Sequence, residues 1–358
     1  MKQVLIVLLG FLFLQEAKAQ QLDLLIRNFD KSVDSLNELH EFNGNFLLAK
    51  DGKPLYLKSI GFSDSTMKQK LNTNAAFNLA SVSKSFTSAL VMMMKDEGKL
   101  SFDDAVVQYI SEFPYPTITI RHLLNHTHGM IEYFDWVTDS LKLKDTIDNQ
   151  RLMSLLATHK PNLKWIPGEK FEYCNTGYAV LASVLEKVSG SPYRELLKKR
   201  ILQPVRMKNT FVYTVNQSKS PVNRVFGIKF YNNAWHPFDL TTLDGVVGDG
   251  NIYSTVGDLL KWDQALRNNH LIKKETLAEA YTPVVVKEKP KMAYGFGWII
   301  NDVGKKVSHS GSWNGFKNNF VRDFQHGYTL IFLSNGTAGL PFWQTQQQFE
   351  KAISVLHQ

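Results

Sequence analysis

The chain has 358 residues, 44% hydrophobic and 12% aromatic, ample for one large core or two lobes, and 41 basic against 33 acidic residues give a net charge of +8. Its single cysteine, Cys174, excludes an internal disulfide and any cysteine metal cluster. The basic residues are scattered and not interleaved with aromatics, which excludes a nucleic-acid reader and leaves a solvated basic surface.

The first residues read as a secretory signal. Lys2 gives a positive start, Val4 to Leu14 an apolar run, and Ala17-Lys18-Ala19 a cleavage site. The run is too short for a bilayer, which needs about 20 residues, and no cysteine follows it to carry a lipid. The mature chain is expected to begin at Gln20 and to be exported, periplasmic or extracellular, without stable membrane insertion; an uncleaved anchor is the alternative. From Gln21 to His40 the apolar residues Leu22, Leu25, Phe29, Val33 and Leu36 recur at helical spacing. Next come Phe46–Lys50, Asp51-Gly52 and Pro54–Lys58, a hairpin around a D-G turn. A polar loop runs to Asn74.

A central helix follows. Phe86 to Met94 is apolar on nearly all sides, so it is expected to be buried all round, ending near Gly98. From Leu100 to about Gln217 the signals are mostly helical: an N-cap with acidic residues at Ser101–Asp104, then helices over 118–125, 150–159, 176–190 and 192–202. From Val225 a hairpin turns at Asn232-Asn233. A helix is expected over 254–268, strands over 293–301, 306–310, 318–323 and 328–334, and a closing helix over 342–356. A sheet begun near residue 46 is thus interrupted by a helical insertion and finished after residue 290. Loops around 135–148, 215–223 and 284–292 are expected to shape any pocket.

The chemistry starts at Ser81-Val82-Ser83-Lys84. Three residues apart on a helix, Ser81 and Lys84 share a face within reach of each other. A serine hydroxyl becomes a nucleophile when a base takes its proton, and a helix start favours an oxyanion. Tyr173-Cys174-Asn175 offers a phenol that acts as acid or base beside a cation, and an amide that orients substrate. His309-Ser310-Gly311-Ser312-Trp313 lies on an expected strand. Gly311 lets substrate lie against the strand edge, with backbone N–H groups beyond it for an oxyanion. Gly248–Asp258 is a glycine-rich turn into a helix.

Together these stretches, with Leu123–Gly129, resemble the serine β-lactamase and penicillin-binding superfamily, in its class C-like branch, over nearly the whole mature chain. The resemblance implies an antiparallel sheet flanked by N- and C-terminal helices (α/β lobe, about 20–80 and 225–358) and a mostly helical lobe (about 81–224), with the active site between them. It implies Ser81 as the acylated nucleophile, Lys84 and Tyr173 as shared base and acid, Asn175 as substrate ligand, and an oxyanion hole of the Ser81 and Ser312 backbone. Substrate would also lie along His309, Ser310 and Gly311.

The third motif is often Lys-Thr-Gly in β-lactamases; here it is His309-Ser310-Gly311. An imidazole is mostly neutral at pH 7 where lysine is charged. The hold on a β-lactam carboxylate is weakened, and esters or D-residue peptides are favoured over β-lactams. A non-turnover protein that binds penicillin or cell-wall peptide is the competing reading. No cofactor is implied, and the partner is a small-molecule or peptide substrate. His122, His126 and His128 lack an acidic ligand at a telling spacing, so a zinc site is discounted. Cys174 reads as a small buried side chain, Asp249 and Asn251 as turn formers, and Trp313 equally as a pocket wall or a packing residue.

Overall fold

The expected N-terminal helix is the C-terminal part of a longer one, α1 (Lys2–Glu38), in a computed structural model that describes residues 2–287, 293–336 and 340–355. The helix passes the expected cleavage point after Ala19 without a break. Among the described residues no helix is long and apolar enough to cross a membrane. Asp51 and Gly52 take φ of 49° and 76°, the left-handed pair of a two-residue hairpin turn. They join β1 (Gly44–Lys50) to β2 (Lys53–Ile60).

After the polar loop, β3 (Phe77–Asn78) leads through a tight 3-10 turn, Ala80–Ser83, into α2 (Lys84–Asp96). Every residue from Lys84 to Met94 is buried, as the all-round apolar sequence demands. Ser81 lies in the 3-10 turn rather than in the first α-helical turn. Ala80 before it has φ 47°, a left-handed conformation costly for a side chain with a Cβ, and its N–H is held at 2.9 Å by Asn78 Oδ1.

The helical lobe follows with α3 (Ile120–Leu124), α4 (Tyr133–Asp135), α5 (Asn149–His159), α6 (Asn175–Ser189) and α7 (Tyr193–Leu197). A π turn, Lys198–Leu202, continues α7, and Gly190 at φ 66° stops α6. The expected helix after Ser101–Asp104 is only a 3-10 turn, Val106–Gln108. The Asp104 carboxylate instead takes the Ser101 N–H at 2.6 Å, and Ala105 bridges to Thr119 as extended chain.

The rest of the chain builds sheets. β4 (Phe211–Val212) joins a three-stranded sheet in the order β3-β7-β4, with β7 at Ile252–Ser254. β5 (Ile228–Tyr231) and β6 (Ala234–Pro237) form the hairpin turning at Asn232 and Asn233, φ 47° and 58°. Then come α8 (Val256–Arg267), α9 (Lys274–Ala280), which the sequence pattern did not reveal, and β8 (Ile299–Asp302). β9 (Lys306–Trp313), β10 (Phe316–Asp323), β11 (Tyr328–Ser334) and α10 (Leu340–Val355) end the fold. Position 356 of the expected closing helix and 288–292 of the expected pocket loop lie outside the described residues.

The main sheet runs β2-β1-β11-β10-β9-β8, antiparallel throughout. This is the mixed α/β architecture, an antiparallel sheet with terminal helices and a helical lobe. α1 and α10 share one face, where Phe29 stacks on Phe349 at 4.2 Å between ring centres. The other face carries α8 and the lobe. There Asp263 of α8 accepts from Arg322 Nε at 2.7 Å, Arg267 Nε at 2.8 Å and Thr329 Oγ1 at 2.6 Å. Burial pushes this carboxyl up, but the two guanidinium groups and the hydrogen bonds outweigh it and hold it below the usual range.

Candidate active site

The 3-10 turn carrying Ser81 packs against β9, and the start of α6 closes the third side. β8 pairs with β9 only as far as Ser308, through Ile299. Beyond that point the β9 edge faces the Ser81 turn instead of another strand. Gly311 makes the approach possible. A Cβ there would stand 2.1 Å from the Leu79 carbonyl oxygen, a backbone atom that has no room to retreat. Gly311→Ala is therefore expected to push β9 off the turn and lower kcat/KM about 10²-fold. Steady-state rates with the fold checked by circular dichroism test this; an unchanged rate contradicts it.

Lys84 is fully buried, 0% exposed. Its Nζ lies 3.1 Å from Ser81 Oγ, 2.7 Å from Asn175 Oδ1 and 2.9 Å from the Asp249 carbonyl oxygen. The three oxygens match three N–H donors on Nζ. When the nitrogen gives up one proton, the two carbonyl-type acceptors keep the other two and its lone pair faces Ser81 Oγ. The same nitrogen lies over the Tyr173 and Tyr178 rings, 5.1 and 5.6 Å from their centres. The Tyr173 hydroxyl is buried and has no hydrogen-bond partner among the described residues.

Asn175 opens α6 and is fixed from both ends. Glu132 Oε2 takes its backbone N–H at 2.8 Å and its Nδ2 at 2.9 Å, while its Oδ1 faces Lys84. One Nδ2 hydrogen remains for a substrate. Burial pushes the Glu132 carboxyl up against these bonds. Nothing in the sequence marked Glu132, because its partner is 43 positions away.

Ser81, Asn175 and Ser312 line one cavity of about 50 Å³ with Asp244, Asp249, Phe134 and Trp313. The walls thus come from the residues around 133–134 and 243–251, beside the expected loops rather than on them. No lysine, arginine or histidine lines this cavity among the described residues. At its mouth the Lys317 ammonium donates to Ser312 Oγ. Trp313 serves both expected roles: it walls the cavity, its ring centre 4.9 Å from that of Phe134, and its Nε1 donates to Asp244 Oδ1 at 2.8 Å. Burial pushes the Asp244 carboxyl up to about 6, against hydrogen bonds from Thr241 and Trp313 and with Asp239 adding to the rise. Asp249 is likewise raised by burial, opposed by Lys84 and by the Tyr133 hydroxyl at 3.1 Å. Its backbone, not its carboxylate, holds Lys84.

His309, Ser310 and Gly311 do not line the cavity. His309 is 1% exposed, with Nε2 at 2.9 Å from Tyr294 Oη and Nδ1 at 2.6 Å from the Ser310 carbonyl. Burial, aided by the Lys84 charge, lowers its pKa to about 3, so the ring is neutral at pH 7. Cys174 is buried, its thiol pushed up to about 12 by burial. His126 and His128 are buried too; His126 Nδ1 meets Cys174 O at 3.1 Å, and His128 Nδ1 accepts the Met130 N–H at 3.0 Å. No group of three metal-binding side chains occurs among the described residues.

The Beta-lactamase family model matches residues 29–353. Penicillin-binding protein 4* of Bacillus subtilis (strain 168) is 35% identical over 315 residues, 84% of this chain and 70% of that protein. The D-aminopeptidase of Cereibacter sphaeroides is 26% identical over 304 residues, 80% of this chain and 56% of that protein. The solved penicillin binding protein from Bacillus halodurans superposes with a TM-score of 0.77 at 25% identity, over 89% of this chain and 99% of that one.

Proposed function

The chain belongs to the Beta-lactamase family of serine hydrolases, and from that premise we propose that it acts through an acyl-Ser81 intermediate on esters and D-residue amides in preference to β-lactams. The observation that carries this is the three-way hold on Lys84 Nζ, which fixes the nitrogen 3.1 Å from the Ser81 hydroxyl it must deprotonate. Lys84 takes the Oγ proton as Oγ attacks the carbonyl carbon. The backbone N–H groups of Ser81 and Ser312 receive the oxyanion. The unpartnered Tyr173 hydroxyl protonates the leaving group, with the Lys84 proton restoring it. Water then attacks the acyl-serine, its proton taken by the same pair, and Ser81 is released.

Substrate preference follows from charge. Asp244 and Asp249 line the cavity floor, neutral His309 supplies no cation behind β9, and the Lys317 ammonium stands at the mouth on Ser312 without lining the cavity. A neutral acyl group or one bearing an ammonium suits that floor better than a carboxylate. The similarity to a D-aminopeptidase supports this reading. Lys2, the apolar run to Leu14 and Ala17-Lys18-Ala19 support an exported enzyme.

The test is a comparison of initial rates on a neutral nitrophenyl ester, a D-amino-acid nitroanilide with a free ammonium, and a chromogenic cephalosporin. Cephalosporin turnover above both others overturns the preference. Stoichiometric labelling of Ser81 without turnover of any supports the binding-protein reading. The pH dependence sharpens it. As pH rises through about 6, Asp244 gains its charge. The ratio of kcat/KM for the cationic anilide to that for the neutral ester is therefore expected to rise across this interval, because groups common to both substrates cancel. A ratio flat from pH 5 to 6.5, below the titration of the anilide's own ammonium, contradicts a role for Asp244 in substrate choice.

A further inference from the structure

A second concavity lies on the helical lobe, away from Ser81. α7, its π turn and the segment 203–221 enclose a groove of about 480 Å³, within the range of roughly 300–1,000 Å³ typical of small-ligand sites. The floor is apolar: Leu202, Met207 and Val212 are buried and Phe211 partly so. The rim carries Arg194, Lys198, Arg206 and Lys208 against the one carboxylate of Glu195. Among the described residues none of these four cationic side chains makes a hydrogen bond or ion pair. Burial lowers the Arg194 pKa, and the Glu195 charge opposes that only in part. Four cations gathered around an apolar trough repel one another, and a bound anion relieves the repulsion.

We propose that this groove binds a free single-chain anionic amphiphile, a long-chain carboxylate, with its chain on the floor and its head among the four cations. The apolar surface is recessed, not projecting. A free chain can descend to it, whereas a bilayer surface would meet only the cationic rim. The reading goes beyond the hydrolase activity and does not depend on it.

Calorimetric titration of the full chain with dodecanoate below its micelle concentration tests it. One saturable site is expected. Dodecyltrimethylammonium (same chain, opposite charge) and butyrate (same head, almost no chain) are expected to bind at least about tenfold more weakly. The double variant Arg194→Gln, Lys198→Gln is expected to lose at least about tenfold in dodecanoate affinity, with melting temperature and ester turnover unchanged. No binding of dodecanoate, or equal binding by the double variant, overturns the proposal. Binding to phosphatidylglycerol vesicles without binding of monomeric dodecanoate overturns it in favour of a membrane-facing patch.

Discussion

Ser81→Ala is expected to reduce turnover of every acyl substrate by at least about 10³-fold, the scale set by loss of a nucleophile where binding and oxyanion stabilisation survive. Among the described residues the hydroxyl bonds to Lys84 Nζ alone, and Lys84 keeps its bonds to Asn175 and the Asp249 carbonyl when that bond is lost. The fold is therefore expected to stay intact, with a melting temperature close to that of the parent. Lys84→Met should differ. It also stops turnover, but it leaves Asn175 Oδ1 and the Asp249 carbonyl without their shared donor in a buried site, so it destabilises by about 1–3 kcal/mol. Intact-mass spectrometry after exposure to an activated ester should show an added acyl group on the parent and none on Ser81→Ala. Undiminished activity in Ser81→Ala would remove the nucleophile assignment outright.

Asp263→Ala is expected to cost about 3–5 kcal/mol of folding stability, measured by urea denaturation. The carboxylate is the charged partner of Arg322, and both side chains are 0% exposed. It also holds Arg267 and Thr329, so one carboxylate joins α8 to β10 and β11. Removing it strands the Arg322 guanidinium in the interior with the Tyr281 hydroxyl, the Asp263 backbone carbonyl and the surrounding ring faces. Those contacts are too weak to replace a buried counter-charge. Asp263→Asn retains an acceptor and is expected to cost less. A loss under about 1 kcal/mol for Asp263→Ala would mean that Arg322 finds water or another partner.

The sequence exposed local structure well and distant pairing poorly. The two hairpin turns were legible because Asp51-Gly52 and Asn232-Asn233 tolerate positive φ at both positions. α2 was legible because its apolar run is unbroken. Ser81 and Lys84 were legible because three residues on a helical turn meet wherever the helix goes. Their supports were not. The Asp249 carbonyl that takes a Lys84 hydrogen is a backbone group and has no side-chain signature. Glu132 and Asp263 look like surface acids until folding brings their donors to them. α9 and the π turn after α7 carry no periodicity distinct from an ordinary short helix. His309 reads as a substrate-facing residue from its motif, whereas the strand's pleat turns its ring inward to Tyr294.

The order of strands in the sheet sets a timetable. β1 lies beside β11, and Asn43 bonds to Asn335 across a separation of 292 residues. A chain emerging from the ribosome carries Ser81 early and the strand bearing Ser312 late. The central sheet cannot be zipped until almost the whole protein has been synthesised. Pairings of such long range fold slowly. While they wait, the β1–β2 hairpin has an unpaired apolar edge that invites other chains. The nascent chain therefore cannot bring Ser81 and Ser312 together until its sheet closes. Truncation within β11 should abolish hydrolysis and solubility together, since it splits the sheet down the middle instead of trimming one border.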